Sequence, residues 1–164
     1  MASDLSTLTI VHTTLSVIAL VAGIGILPAL MRGQLVPMWT GLFVWTAVAT
    51  TVTGFLFPFT TFLPSHGVGI AAALTLVPTV AALHVFGLAG AWHRIYAAGA
   101  VVNVYFLAFV GVAQAFLKVP AFHALAPTGS EPAFAATQLV LLAVFLGIGW
   151  RAVRVVPAGR MARA

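Results

Sequence analysis

"LTIVHTTLSVIALVAGIGILPALM", residues 8–31, is a run of 24 residues without a Lys, Arg, Asp or Glu. About 20 helical residues cross a hydrocarbon layer of about 30 Å, and lipid leaves one continuous segment no other way to satisfy its backbone N–H and C=O groups. This stretch therefore predicts a membrane-spanning helix. Four further apolar segments of similar length follow at 37–57, 67–90, 95–117 and 134–156. Together they predict an all-α fold, an integral membrane bundle of five transmembrane helices.

The composition agrees. The chain of 164 residues is 62% hydrophobic and 5% charged, where an ordinary soluble domain carries about 25% charge. The length fits a single domain over residues 1–164, which leaves no room for a separate soluble catalytic unit. The net charge of +5 does not indicate nucleic acid, because the basic residues are few and scattered between apolar stretches. The absence of cysteine excludes disulfides, thiolate metal sites, CxxCH haem attachment and thiol redox chemistry.

Turn residues separate the segments. Arg32-Gly33-Gln34 closes the first; Pro58, Pro64 and Ser65 bracket the second gap; 90–94 reads as a tight turn; Pro120, Pro127, Gly129 and Pro132 break up the longest connection. Pro28 and Pro78 fall inside segments, where membrane helices tolerate them. Orientation follows from the positive-inside rule: with the N-terminus outside, Arg32, Arg94, Arg151, Arg154, Arg160 and Arg163 lie in the cytoplasm and Lys118 outside. Asp4 and Glu131, the only acids, then face out, and Trp39, Trp92 and Trp150 sit at the inner interface. The first segment lacks a basic n-region and exceeds a signal's apolar length, so it is expected to remain. The basic C-terminus "RAVRVVPAGRMARA" reads as an anchor against anionic headgroups.

Small and hydroxyl residues mark interfaces in lipid. Thr9, His12, Thr13, Ser16, Ala19 and Gly23 form a stripe on the first segment, and Thr46, Thr50, Thr53 and Gly54 one on the second, so these faces are expected to meet. Asn103 and Gln114, eleven residues apart, share a face of the fourth segment, with Lys118 one turn on. Polar glue between helices is their simplest role.

Histidine is the main chemical inventory. His12, His66 and His123 collect toward the outer side, at the level of Gln114, Lys118, Glu131 and Gln138; these seven are the candidate residues of an outer ligand-binding pocket. His66 and His84 share a face about 27 Å apart. Three chemistries compete. Neutral imidazoles of His12, His66 and His123 with Glu131 suit a divalent metal, although no HxxH or HxxxH pair supports it. A b-type haem would use His12 with His66 outside, and His84 with His93 inside. Proton or solute handling lacks a carboxylate within any span. The plainer reading leaves His66, His93 and His123 hydrated at the interfaces and His12 and His84 satisfied by neighbouring helices. No GxSxG, HExxH or phosphate-binding glycine loop is present, which argues against hydrolysis.

The stretches "TGFLFPFTTFLPSH" (53–66), "FGLAGAWHRIYA" (86–97) and "QAFLKVPAFHALAPTGSEPAF" (114–134) resemble a group of small, uncharacterised multi-span membrane proteins of alphaproteobacteria. The resemblance implies a bacterial inner-membrane protein and no particular activity. Two function classes follow. One is a non-enzymatic protein, either an accessory subunit beside other membrane subunits or copies of itself, or a binder of a small lipid-like ligand through the outer pocket. The other is a haem- or metal-binding redox protein. The connection at 118–132, with Phe116, Phe122 and Phe134 around its prolines, is expected to be an ordered lid.

Overall fold

A computed structural model describes residues 2–58, 64–155 and 162–163. Six helices make up the fold: α1 (Ala2–Leu30), α2 (Pro37–Gly54), α3 (Pro64–His84), α4 (Trp92–Lys118), the one-turn α5 (Pro120–His123) and α6 (Pro132–Val155). Two-residue strands β1 (Gln34–Leu35) and β2 (Ala162–Arg163) pair in parallel, tying the tail to the α1–α2 turn. Arg160 lies outside the described residues, as do 59–63 of the second gap.

Among the described residues four helices, α1, α3, α4 and α6, are long and apolar enough to cross a membrane. The chain is thus an all-helical membrane protein. Expected as a further span, α2 is 18 residues long and carries Thr40, Thr46, Thr50, Thr51 and Thr53; it is not among those four. Three of these hydroxyls are returned to the helix: Thr46, Thr51 and Thr53 donate to the carbonyls of Leu42, Ala47 and Ala49 at 2.6, 2.9 and 2.8 Å.

The five longer helices alternate in direction. Gly25 abuts Trp39 while His12 abuts Thr53, so α1 and α2 are antiparallel. Asn103 meets Thr75 and Gly99 meets Thr79, which sets α3 against α4 in the same sense. Tyr105 packs on Phe145 and Gly149 on Val101, so α6 also opposes α4. Arg32, Arg94, Arg151 and Arg154 therefore lie at one end of the bundle, with Trp39, Trp92 and Trp150, and Lys118 at the other.

At the centre stands α4, touching α1, α3 and α6. It can do so because its buried positions are small or slender: Ala97, Ala100, Val101 and Val104, with Tyr96 at the arginine end. The α1 stripe is buried in its lower half only. Ala19 and Gly23 are enclosed together with Ala22 and Ile26, whereas Thr9 and Thr13 are exposed.

The third segment is shorter than expected. Helix α3 stops at His84, not Gly90, because Gly87, Leu88 and Gly90 adopt positive φ of 54°, 60° and 54°. Phe86 and Leu88 N–H groups close the end by bonding back to the Ala81 and Ala82 carbonyls at 3.0 and 2.9 Å. Left-handed backbone cannot continue a right-handed helix.

Close approach at Gly99 is the tightest test of this packing, since a Cβ there would overlap the Thr79 hydroxyl and come within 3.4 Å of the Thr75 carbonyl. Gly99→Leu is expected to destabilise the bundle by about 1–3 kcal/mol, measured by unfolding in detergent. Gly147→Leu, at a site with nothing within 4 Å, is expected to stay within about 0.5 kcal/mol.

Candidate functional site

Of the seven candidate pocket residues, His12, Gln138 and Glu131 take partners of their own. His12 is half-buried between α1 and α2, with Nδ1 2.9 Å from the Thr53 hydroxyl oxygen. The hydroxyl's single proton is already directed to the Ala49 carbonyl at 2.8 Å, with the Thr50 carbonyl 3.1 Å away. The imidazole must therefore be the donor, which fixes the Nδ1–H tautomer and leaves the lone pair on Nε2. Gly54 makes room for the ring, a Cβ there standing 3.4 Å from Cε1. Phe57 meets it edge-on at 5.4 Å. The expected meeting of the α1 and α2 stripes thus occurs at His12.

Gln138 is buried between α6 and α4, its Nε2 donating to the Phe109 carbonyl at 3.1 Å. Glu131 turns back on its own loop. It accepts the Thr128 N–H and hydroxyl on Oε1 at 3.0 and 2.9 Å, and the Ser130 N–H on Oε2 at 3.0 Å. Gln114, Lys118 and His123 are exposed, and His66 is half-buried. Gln114 does not share the burial of Asn103. By the Asn103–Thr75 register it stands level with Pro64, the first residue of α3, where the covering helix begins. Among the described residues no three of His, Cys, Asp and Glu come together as a metal-holding group.

The connection at 118–132 folds onto its own stem. Phe116 stacks with Phe122 at 5.6 Å and takes Phe134 edge-on at 5.4 Å. Ala126 is buried beneath the loop.

The two histidines at the arginine end exchange the surroundings expected of them. His84, expected to be satisfied by neighbouring helices, is exposed at the end of the shortened α3, with its ring 5.6 Å from that of Trp45. His93, expected to be hydrated, is 2% exposed, because α4 begins inside the bundle. Among the described residues neither His93 ring nitrogen has a hydrogen-bond partner. One turn on, buried Tyr96 faces Thr40 without closing a hydrogen bond of ordinary geometry.

Sequence reasoning missed one feature. Between α4 and α6 runs an apolar groove of about 70 Å³, lined by Val101, Val102, Tyr105, Leu142, Phe145 and Leu146. Its signal was legible as paired i, i+4 spacings, 101–105 on one helix and 142–146 on the other, but nothing in either helix alone shows that the two rows leave a gap. Helix α6 packs chiefly on α4, so this seam opens toward the surroundings of the bundle.

Two measurements check these environments. Nitrogen-15 spectra are expected to show a protonated His12 Nδ1 and a bare Nε2, and Thr53→Val should abolish that bias. In the loop, hydrogen bonds to Glu131, the Thr128 N–H foremost, hold its carboxyl below the ordinary value of 4.5. A lowered folded-state value gives order that is complete above 4.5 and is lost as pH falls through the folded value. Amide protection at Thr128 and Ser130 should follow that course, and Glu131→Ala should remove it at every pH.

No family model, curated protein or solved structure matches the chain.

Proposed function

We propose that the chain is a non-catalytic, five-span protein of a bacterial inner membrane, N-terminus outside, that holds a lipid-like ligand along the α4–α6 seam. The observation that carries this reading is the apolar groove at Val101, Val102, Tyr105, Leu142, Phe145 and Leu146. Enclosed ligand pockets run to about 300–1,000 Å³. A groove of about 70 Å³ suits part of an alkyl chain whose remainder stays in the bilayer. The outer polar residues support the same choice, since His12, Glu131 and Gln138 already have local partners.

A fifth crossing by α2 is supported by its packing. It lies antiparallel along α1 from the Gly25–Trp39 contact to the His12–Thr53 contact, and so shares the depth of a span. Its 18 residues reach about 27 Å, close to the hydrocarbon thickness. Segregation of the arginines to one end supports the orientation.

One observation favours a histidine-ligand reading as a second possibility. The Thr53 contact orients His12 in the way outer partners orient a ligating imidazole, leaving Nε2 for a metal or haem iron. A Soret band from protein loaded with haem b, lost in His12→Ala, would favour it over the lipid reading.

The lipid reading is tested with an alkyl chain bearing a photoreactive diazirine. Adducts are expected to concentrate on Val102, Leu142 and Leu146 and to be lost in Leu142→Trp; adducts spread evenly over the lipid-facing helices would overturn it. Because the chain has no cysteine, single replacements report topology cleanly. Gly129→Cys should be labelled in intact cells and Gly33→Cys only after permeabilisation.

A further inference from the structure

We infer that the α4–α6 seam is a site for an anionic phospholipid, its phosphate held by Arg94 and Arg154 and one acyl chain lying in the groove; this rests on the lipid reading above and specifies the headgroup. The groove-lining residues of α4 extend toward the arginine end along one row. Val101, Val102 and Tyr105 lie seven, eight and eleven residues beyond Arg94, spacings that keep all four on the same side of a helix. On α6 the row is Leu142, Leu146, Trp150 and Arg154, each one turn from the last. The Arg154 guanidinium lies 3.7 Å over the Trp150 ring, which fixes the cation beside that row. The Gly149–Val101 and Tyr105–Phe145 contacts set the register of the two helices. By that register Arg94 is level with the end of α6, so both cations stand at the mouth of the same seam.

Charge complementarity selects the head of the ligand. Arg94 and Arg154 are exposed, and the only two acids, Asp4 and Glu131, belong to the opposite end of the bundle. No Asp or Glu side chain stands at this end to neutralise the guanidinium groups. Depth selects the rest. Seven helical residues place the groove about 10 Å below Arg94, comparable to the drop from a phosphate to the upper acyl chain. Trp150, which is 62% exposed, lies between them as interfacial tryptophans do. A molecule with an anionic head, an apolar chain and that offset is a phospholipid.

The test is native mass spectrometry of the full chain released from bilayers of equal phosphatidylglycerol and phosphatidylcholine with identical acyl chains. The wild type is expected to retain phosphatidylglycerol over phosphatidylcholine by about tenfold. Arg94→Gln with Arg154→Gln should bring the ratio near one while phosphatidylcholine retention is unchanged, which also shows that the variant is folded. Arg94→Lys with Arg154→Lys should keep most of the preference. Arg151→Gln, on a different row, should keep all of it. Equal retention of the two lipids by the wild type, or a preference that survives the double glutamine variant, overturns the headgroup assignment and leaves the lipid reading standing. Retention of neither lipid, or retention undiminished by Leu142→Trp, overturns the lipid reading itself.

Discussion

Backbone polar groups in the apolar part of this chain must find their partners within the protein, because hydrocarbon supplies none. That obligation explains the architecture before any particular side chain is considered. It makes the long segments helical and pushes glycine-rich, positive-φ backbone to the ends, at Gly33, Gly87, Gly90 and Gly129. It also explains why α2 can be rich in threonine and still lie along α1, since the Thr46, Thr51 and Thr53 hydroxyls bond back to carbonyls four residues earlier. A threonine used in this way presents mainly its methyl group.

Packing then follows from size. Without a hydrophobic drive between helices, contact depends on how closely two backbones approach. Gly99 against Thr79 and Gly23 against Val104 and Phe43 are the points where a Cβ would intrude, and both lie on contacts of α4. Helix α6 makes fewer such approaches. Gly147 faces open space, and the residues around Leu142 and Leu146 leave a groove rather than a closed seam. The looser helix is therefore the one that leaves a groove along its seam.

How much of this was legible in the sequence depends on the range of the interaction. Apolar run length locates the long helices to within a few residues, apart from the α1 start, which lies six residues earlier at Ala2, and the α3 end, where Gly87 and Leu88 turn left-handed inside a segment whose composition shows no break. Charge placement anticipated the arginine end. The α1 stripe was half right: its spacing identifies a face, but which turns of that face are covered depends on where α2 and α4 lie. Asn103 was correctly read as facing protein, with bonds to Thr75 and Gly99 at 3.1 and 2.8 Å. Gln114 shares its angular position yet emerges at the level where α3 begins. The outer histidines were grouped by height alone, and height does not decide neighbours. His12 is settled by Thr53, forty-one residues away, and no local spacing encodes that.

Buried polar groups are satisfied to different degrees, and Thr50 Oγ1 has no partner among the described residues. Asn103, eleven residues into α4 and about 16 Å from its start, makes two hydrogen bonds through Nδ2. Gln138, six residues into α6, uses Nε2 while its Oε1 has no partner among the described residues. His93, in the first turn of α4, is as buried as either, and both its ring nitrogens are unpartnered among the described residues. An unpaired buried donor or acceptor costs about 1–3 kcal/mol, and the penalty is steepest where no polar medium is near. At His93 that cost falls in the first turn of α4, beside Trp92 and Arg94 at the arginine end of the bundle, whereas Asn103 near mid-helix is spared it.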